Sequence, residues 1–450
     1  MPIPPAGPVL LGGAPHGADL VFREDEGEGA RFRDAPARTV FERGPERVRV
    51  RPGRRWSPGD GAALLAALAR AQERRVPVEL VGGGLPLAGV LAAAAAELPL
   101  LRVRVRGPGG RPHGPVDAVS WRPAAVPRRD RARGAVLITG GLGGIGLCLA
   151  RELGPAGHRL VLVDRVRERD LPPERVRALA LVRASGPTTV VEADLDRTAP
   201  GPLLRSLPFP VAHLVHAAGE LGLERWSRLS GAVLDRAARR RAGQLRRWVR
   251  AAAAGPLSSV LLMGSSESRA AHRGFGAYAL SHACARAAAR ELADEYPHVG
   301  FTVAEWTLWS RVGMAAGVAG PGLRAAGFAT VAPAWGARAA AGLLGGSGGR
   351  GGAEVYALGG ARPPTAAGTV AVMGGVGGTA VLDGAGAAAT LGRMVRGCLP
   401  GSRGAGAQPR PPAGRGRTVR ALVGSSGLRL WSSAPGDWRP DGAYEALVPF

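Results

Sequence analysis

Short apolar runs alternate with amphipathic stretches through the middle of the chain, and this alternation predicts a layered α/β fold. The runs predicted to be strands lie at residues 134–140, 159–165, 188–195, 211–219, 258–266, 300–309 and 353–359. Helical spacing of apolar residues predicts helices near 144–156, 173–184, 278–296 and 335–345. Buried strands separated by amphipathic helices are typical of a parallel sheet that is covered on both faces. We therefore expect a Rossmann-like doubly wound parallel sheet over residues 131–360.

A shorter version of the same alternation occupies residues 1–125. A helix is predicted from Asp60, a buried strand over 77–84, and a further helix and strand over 87–107. Weak strand signals precede them in TVFERGPERVRVRP. These strand–helix units predict a smaller, truncated Rossmann-like α/β subdomain ahead of the large sheet. The Pro- and Arg-rich residues 123–134 are expected to link the two.

Residues 361–450 differ in character from the rest of the chain. They are rich in glycine and other small residues, and no function follows from their sequence. Residues 401–417 consist largely of Pro, Gly and Arg, a composition that is expected to be disordered. The stretch TVRALVGSSGLRLWSSA, which follows directly, predicts a β-hairpin.

The chain is strongly basic, but this charge reflects a composition shared by all its parts. The formal net charge is +24 over 450 residues, every one of the 59 basic residues is arginine, and neither lysine nor asparagine occurs. The arginines are dispersed instead of being gathered with aromatic residues, so we expect no nucleic-acid binding. A diffuse basic surface better suits an acidic protein partner.

Cysteine usage and hydropathy favour a cytoplasmic location. Cys148, Cys284 and Cys398 are odd in number and scattered, which favours buried thiols in a reducing compartment over a disulfide or a metal site. The N-terminal residues have no basic segment followed by an apolar run, so no signal peptide is predicted. No apolar stretch reaches ~18 residues, so no membrane span is predicted.

The motif ITGGLGGIG follows the first strand of the large sheet and opens a helix. Within it, Gly141, Gly143 and Gly146 fit the pattern G-x-G-x-x-G. Such glycines permit a tight turn and a close backbone approach, and the helix N-terminus receives a pyrophosphate. The sequence therefore predicts a dinucleotide site, and the alternative is a structural turn in a glycine-rich chain.

The ends of the next two strands carry conflicting signals about the dinucleotide. Asp164 ends the second strand, where an acid usually holds the ribose 2′-hydroxyl and repels a 2′-phosphate. Arg165 follows it directly, and Arg167 and Arg169 lie close behind, where they would favour a 2′-phosphate. Asp194 ends the third strand and is suited to contact the adenine edge, or equally to close a strand-end turn.

The order of TGGLGGIG, ADL, HAAG, a serine strand and a tyrosine helix resembles the short-chain dehydrogenase/reductase family. The closer resemblance is to the ketoreductase domain of modular polyketide synthases, over about residues 131–360. AEWTLWSRVGMA is similar to a stretch of that family with two tryptophans three residues apart. The resemblance implies NADPH as the cofactor, with NADH left open by Asp164, and a β-ketoacyl thioester as the substrate. It also implies an acyl carrier protein or another synthase component as the partner.

Active-site residues follow from this resemblance one position at a time. Tyr278 takes the place of the catalytic tyrosine that donates a proton to the ketone oxygen, and Ser265 that of the serine that binds the same oxygen. The family's lysine falls on Arg241, counted from HAAG, and its asparagine falls on His282. The resemblance also assigns cofactor contacts in the first strand end and in HAAG, namely Thr139, Ala217, Ala218 and Gly219.

Both departures from the family fall on residue types that the whole chain lacks. Arg241 can stabilise a tyrosinate but cannot readily release a proton, so a lysine's relay role would be lost. His282 shares a helix face with Tyr278 and could relay a proton near neutral pH. The alternatives are that Arg241 lies on a solvated helix face and that His282 only hydrogen-bonds backbone.

Two functions remain open at this point. The first is an NAD(P)H-dependent ketoreductase that reduces a β-ketoacyl thioester to the β-hydroxyacyl product in polyketide biosynthesis. The second is a catalytically impaired domain of the same fold that serves as a structural or docking module of a synthase. Tyr278, Ser265 and the glycine motif together favour the first, because a module without turnover has less need of both hydroxyls.

Overall fold

The computed structural model describes most of the chain between Phe32 and Leu358 and several strands outside it. The described residues are 21–24, 32–82, 86–98, 100–106, 121–123, 134–268, 274–315, 330–345, 353–358, 369–374, 378–383, 418–424, 427–433 and 446–448. The predicted disordered segment 401–417 and the predicted linker, apart from its ends, lie outside these ranges.

The strands and helices are numbered in chain order. The strands are β1 (Val21–Glu24), β2 (Val40–Arg43), β3 (Val48–Arg51), β4 (Val78–Val81), β5 (Val103–Arg106), β6 (Trp121–Pro123), β7 (Ala135–Thr139), β8 (Arg159–Asp164), β9 (Thr188–Glu192), β10 (Val211–His216), β11 (Ser259–Ser265), β12 (Gly300–Trp306), β13 (Leu308–Trp309), β14 (Thr330–Val331), β15 (Glu354–Leu358), β16 (Thr369–Gly374), β17 (Gly378–Asp383), β18 (Thr418–Gly424), β19 (Gly427–Ser433) and β20 (Ala446–Val448). The helices are α1 (Asp60–Glu73), α2 (Ala88–Glu97), α3 (Gly144–Leu153), α4 (Pro173–Ser185), α5 (Pro200–Ser206), α6 (Gly231–Ala252), α7 (Gly276–Glu295) and α8 (Pro333–Leu343).

The large sheet confirms the predicted Rossmann-like fold. Its strand order is β6-β1-β15-β12-β11-β10-β7-β8-β9. The seven strands from β15 to β9 are parallel, and each coincides with one of the seven predicted apolar runs. The order reverses between β7 and β10, and this switch point is where ligands bind in doubly wound sheets.

Helices cover both faces of the large sheet because its buried strands are apolar on both sides. In β7, Ala135 and Leu137 pack into one hydrophobic core together with residues of α6 and α7. Val136 and Ile138 point the other way and pack with residues of α3 and α8. The two cores fix the sheet between two helical layers, and its strand ends form one edge of the site described below.

The smaller sheet precedes the large one in sequence. It has the order β2-β3-β4-β5, with β3, β4 and β5 parallel, and α1 and α2 alternate with these strands. Strands β1 and β6 flank this unit in the chain but pair with the large sheet, where β1 lies antiparallel to both β15 and β6. The smaller sheet is therefore inserted between two strands of the larger one.

A buried carboxylate joins the small unit to α6. Asp235 accepts hydrogen bonds from the Trp56 indole nitrogen at 2.8 Å, from the Gly59 amide at 2.8 Å and from the Gly61 amide at 3.0 Å. Burial would raise the pKa of this carboxyl, but the three hydrogen bonds outweigh it and lower the pKa. At Gly61 a Cβ atom would lie 2.4 Å from the Gly231 carbonyl oxygen, so α1 and α6 meet through glycine backbone.

The described strands beyond residue 360 form a third sheet with the order β17-β16-β18-β19-β20. Strands β18 and β19 pair antiparallel from Thr418 opposite Ser433 to Gly424 opposite Gly427, which confirms the predicted hairpin. In the part of the chain that the structure describes, no helix is long and apolar enough to cross a bilayer.

Candidate active site

A cavity of about 480 Å³ opens at the carboxyl ends of β7, β8, β9 and β10, at the switch point of the large sheet. Eight of the ten predicted cofactor residues line it: Gly143, Gly146, Asp164, Arg165, Asp194, Ala217, Ala218 and Gly219. Tyr278, His282 and Arg241 line the same cavity. The strand ends thus bring the predicted nucleotide loop and the predicted catalytic groups to one place.

The glycine loop forms the part of the cavity wall at the start of α3. That helix begins after Gly143 without a capping side chain, so its first amide groups remain available to a ligand. At Gly146, a Cβ would lie 2.3 Å from the Gly140 carbonyl oxygen, so only glycine permits this close packing of helix on loop. An uncapped helix N-terminus at the end of a parallel strand fits a pyrophosphate.

Two of the ten predicted cofactor residues, Gly141 and Thr139, do not line the cavity. Gly141 packs against Leu162, whereas Gly140 and Gly144 line the cavity. Gly140 has a φ of +69°, which favours glycine, and a Cβ there would lie 2.9 Å from Ala218. The paired glycines of ITGGLGGIG allow more than one assignment of the pattern, and a cofactor contact of Gly141 stays a prediction.

Thr139 is fully buried beneath the cavity. Its hydroxyl oxygen lies 2.9 Å from His216 Nδ1 and accepts a hydrogen bond from the Ala218 amide at 3.4 Å. Thr139 therefore holds the end of β10 in place and does not itself line the site.

The two acidic strand ends are engaged by backbone amides. The Asp164 carboxylate accepts hydrogen bonds from the amides of Leu142 and Val166, each at 3.1 Å. One oxygen of Asp194 accepts the amide of Asp196 at 2.8 Å, which closes the strand-end turn. Asp164 thus ties the glycine loop to the end of β8, although its side chain still borders the cavity.

Arginines surround the same half of the cavity. Arg165 is exposed and lies 2.8 Å from Glu220, and Arg240 pairs with the same carboxylate. Arg175 and Arg236 also line the cavity, and neither was singled out from the sequence. Arginines and carboxylates are equally numerous at the cavity mouth: Arg165, Arg175, Arg236 and Arg240 stand beside Asp164, Asp194, Glu220 and Glu224.

Tyr278 lies in the first turn of α7 and is hydrogen-bonded to Ser265, the last residue of β11. Burial raises the pKa of the Tyr278 phenol, while the charge of Arg241 and the Ser265 hydrogen bond act in the opposite direction. Ser265 touches Tyr278 but, within the described chain, is not itself part of the cavity wall. The phenol is therefore protonated at neutral pH and has a neighbouring cation that stabilises its anion.

Arg241 lies in the protein interior, so the alternative of a solvated helix face is wrong. Its side chain is 5% exposed, although it belongs to the arginine-rich helix α6. The guanidinium donates to the carbonyl oxygens of Ala218, His216 (3.4 Å) and Met263 (2.7 Å). Burial lowers the pKa of Arg241 to about 10, and Tyr278 opposes this shift. The group therefore stays cationic at neutral pH while it joins the ends of β10 and β11.

His282 packs against the tyrosine, with the two ring centroids 4.4 Å apart. Burial lowers the pKa of His282 well below its ordinary value, and the nearby Arg241 and His216 lower it further. His216 has a similarly lowered pKa, for which burial is the main cause and Arg241 the second. Both rings are neutral at neutral pH, and His282 Nδ1 has no hydrogen-bond partner among the described residues.

His216 is a neighbour of the site that the sequence-based analysis did not single out. It is fully buried at the end of β10, one residue before the predicted cofactor contacts Ala217 and Ala218. The signal was available, since it is the histidine of the HAAG motif. Within the described residues, no cluster of three or more His, Cys, Asp or Glu side chains could hold a metal ion.

A comparison with protein-family models matches residues 134–311 to the KR domain. These residues contain the glycine loop, all four predicted catalytic residues and the strands β7 to β12. Residues 134–311 are called the KR domain below, after the model that they match.

Solved structures agree on the fold of the KR domain. A ketoreductase domain from the bacillaene assembly line is 17% identical with a TM-score of 0.53, and the alignment covers 66% of this chain and 82% of that one. A ketoreductase from the first module of phoslactomycin biosynthesis in Streptomyces sp. HK803 is 23% identical with a TM-score of 0.53, over 67% and 80% of the two chains. A structure of A-type ketoreductases from a modular polyketide synthase is 21% identical with a TM-score of 0.52, over 67% and 75%.

The match to the KR domain and these similar folds confirm the resemblance to the ketoreductase domains of polyketide synthases. The alignments to these solved structures cover 66–67% of the chain, which is more than residues 134–311. The two tryptophans of AEWTLWSRVGMA lie inside that domain, with ring centroids 4.9 Å apart in an edge-to-face contact. They pack beside the core formed by α3 and α8, away from the tyrosine.

Proposed function

We propose that this protein reduces a β-ketoacyl thioester to the β-hydroxyacyl product, with NADPH as the reductant. The observation that carries the proposal is the position of Tyr278 at the cavity wall, where its phenol is hydrogen-bonded to Ser265 and the charge of Arg241 stabilises its anion. The KR domain and the ketoreductases of similar fold support ketone reduction in polyketide synthesis. A bound nicotinamide cofactor would supply the hydride.

In this proposal Tyr278 is the proton donor. Because burial raises its pKa, the phenol is protonated at neutral pH and can give its proton to the oxygen of the reduced ketone. Ser265 hydrogen-bonds the phenol and would orient it toward the same oxygen. The positive charge of Arg241 stabilises the tyrosinate that remains after the transfer.

The return of a proton to Tyr278 requires a group other than Arg241. With a pKa of about 10, Arg241 remains protonated and is committed to three backbone carbonyls. His282 is neutral and in ring contact with the tyrosine, so it can pass a proton from the solvent side of the cavity without holding a charge. We propose that His282 returns the proton to Tyr278 as a neutral ring, accepting a proton on one nitrogen while it donates one from the other.

The preference for NADPH over NADH is supported by the arginines at the cavity mouth. Asp164 uses its carboxylate oxygens on two backbone amides, whereas Arg165 extends from the next position into an exposed ion pair. An exposed pair of this kind is worth about 0–1 kcal/mol, so a phosphate can compete for the arginine. We propose that Arg165 receives the 2′-phosphate and that Asp164 has a structural role.

The partner in this proposal is an acyl carrier protein or another component of a polyketide synthase. Solved relatives of the KR fold come from such assembly lines. The net charge of +24 and the arginines at the cavity mouth suit an acidic carrier. We further propose residues 1–125 as a cofactor-free structural subdomain, 131–360 as the catalytic domain, and 361–450 as a Gly-, Pro- and Arg-rich tail to which no function is assigned, in a cytoplasmic protein.

A second candidate is a synthase module that has the KR fold without turnover. It is favoured by one observation: Arg241 and His282 occupy positions where the resemblance implies lysine and asparagine. Arg241 holds the ends of β10 and β11 together, a task that would be needed in an inactive domain as well. The two candidates differ in whether the protein oxidises NADPH.

The test is turnover by the full chain with a β-ketoacyl thioester, with NADPH and NADH in parallel. We expect consumption of NADPH and accumulation of the β-hydroxyacyl thioester, followed by absorbance and by mass spectrometry. Absence of product from folded protein with either cofactor would favour the docking module. A clear preference for NADH would refute the roles assigned to Asp164 and Arg165.

Replacing Arg165 tests the cofactor assignment directly. We expect Arg165→Ala to raise the KM for NADPH about 10-fold, because one charge-assisted contact is lost, and to leave the KM for NADH unchanged. Arg167→Ala is the matched control, since Arg167 is exposed, pairs with Glu192 and lies outside the cavity wall. An equal effect of both variants on both cofactors would contradict the assignment.

A further inference from the structure

Helix α2 of the small unit ends on an acid, which is unusual for a helix C-terminus. The carbonyl dipoles at that end favour a cation, yet α2 has no basic residue in its last turn and finishes with Glu97. A residue that conflicts with its local surroundings often owes its place to a contact elsewhere in the fold. The side chain of Glu97 does make such a contact.

The carboxylate of Glu97 bridges two loops of the KR domain. One oxygen accepts a hydrogen bond from the Trp226 amide at 2.9 Å, and the other accepts one from the Gly274 amide at 2.8 Å. Trp226 is the first residue of a short 3-10 helix and Gly274 lies in a turn, so neither amide has a helix or strand partner. Glu97 is partly buried, so both hydrogen bonds are shielded from water.

Both loops adjoin residues that line the cavity. The loop that ends at Trp226 contributes Leu223 and Glu224 to the cavity wall, and Gly274 stands four residues before Tyr278. Gly274 has a φ of +82°. Its carbonyl oxygen accepts a hydrogen bond from the Glu224 amide at 3.0 Å, so the two loops are also hydrogen-bonded to each other. Glu97 therefore reinforces the junction that sets the distance between the cavity mouth and the tyrosine.

Close packing between Trp226 and the start of α7 makes the position of Tyr278 depend on the position of Trp226. At Gly276, a Cβ would lie 3.0 Å from the Trp226 ring, so the indole lies directly against the first turn of the helix. At Gly89 of α2, a Cβ would lie 2.4 Å from the Glu267 carbonyl oxygen, two residues after Ser265. Helix α2 thus contacts the backbone that carries each of the two catalytic hydroxyls.

We infer that Glu97 is a positioning residue for the substrate side of the active site, acting from outside the KR domain by holding Trp226 and Gly274 at a fixed separation. The expected change in substrate KM rests on the proposed function. The expected loosening of Trp226 and Gly274 rests on the geometry alone. The glycine loop and Arg165 are held by other elements, so the cofactor side should not depend on Glu97.

The experiment compares Glu97→Ala, Glu97→Gln and Glu73→Ala in the full chain. Glu73 is the matched control, because it is an exposed glutamate that ends helix α1 of the same unit. Residue-resolved amide hydrogen exchange is measured first, since it needs no turnover. We expect exchange at Trp226 and Gly274 to be about 10-fold faster in Glu97→Ala and unchanged in Glu73→Ala.

The glutamine variant distinguishes the loss of the two Glu97 hydrogen bonds from a general loss of stability in the KR domain. Its amide group has one acceptor oxygen and one nitrogen that only donates, so it can serve one of the two backbone amides. We expect Glu97→Gln to protect one of the two amides and to release the other. Unchanged exchange at both positions in Glu97→Ala would overturn the inference, as would faster exchange throughout the KR domain.

Kinetics supply the second test. In Glu97→Ala we expect the KM for the β-ketoacyl thioester to rise about 10-fold, while the KM for NADPH stays within about 2-fold of the unmodified value. A parallel rise of both constants would overturn the substrate-side assignment. If the unmodified protein shows no turnover, the proposed function fails, whereas faster exchange at the two amides would still establish the bridge.

Discussion

Replacing Tyr278 by phenylalanine should lower reductase turnover by about 10²–10⁴-fold, the contribution typical of a positioned general acid. The change removes only the hydroxyl that is hydrogen-bonded to Ser265 and lies near Arg241. The ring contacts with Phe275 and His282 remain possible for phenylalanine, so α7 should keep its place. Turnover and cofactor affinity are measured separately, and we expect the affinity for NADPH to change little.

Tyr296→Phe is the matched control for this prediction. Tyr296 directly follows the last residue of the same helix, at the end opposite the cavity, and its variant loses the same hydroxyl group. Because burial raises the pKa of Tyr278, the rate of the unmodified protein should stay level through neutral pH and fall only above the ordinary tyrosine value of about 10. Retention of full turnover by Tyr278→Phe would exclude the phenol as the proton donor.

Replacing Glu305 by leucine should destabilise the protein by about 3–5 kcal/mol, because it removes one member of a buried ion pair. Arg286 of α7 donates to Glu305 of β12 at 3.0 Å, and both side chains are 2% exposed. Ser268 donates to the same carboxylate oxygen at 2.8 Å. The free energy of unfolding is measured by urea denaturation of the full chain.

The double variant Glu305→Leu with Arg286→Met is the informative comparison. Replacing both charges by apolar groups removes the desolvation cost as well as the attraction, so most of the lost stability should return. The neighbouring Gly264 leaves limited room, since a Cβ there would lie 3.2 Å from Glu305 Cγ, so the leucine must occupy the same space. If the double variant is as unstable as the single one, the pair serves packing or hydrogen bonding more than charge balance.

The alternation of apolar runs was enough to predict the large sheet. It did not predict helix α6, whose buried face lies among many arginines. All seven parallel strands were predicted, because a strand that is buried on both sides is apolar throughout. Helix α6 was not predicted, although Leu234, Leu245 and Trp248 follow helical spacing. Its arginines, and Arg241 on the buried face itself, obscured the apolar stripe.

The site was predictable in its residue types and less so in its arrangement. The spacing of Tyr278 and Ser265 led to two hydroxyls that do lie together. A glycine-rich motif does not reveal which member of a pair takes a positive φ, so the place of Gly140 in the cavity wall was not predicted. The contact of Glu97 with Trp226 and Gly274 has no local signature at all, since it depends on how two separate sheets pack.

The pairing of β1 with β15 bears on how this protein is made. Val21 lies opposite Leu358, so the first described strand of the chain finds its partner only after the last strand of the large sheet has been synthesised. At about 5–20 residues/s, the ribosome needs roughly 20–70 s to cover that interval. During this time the smaller sheet can form and β1 can pair with β6, but this pair of strands has no edge of the large sheet to join. Completion of the large sheet is therefore a late event that closes both ends of the smaller unit together.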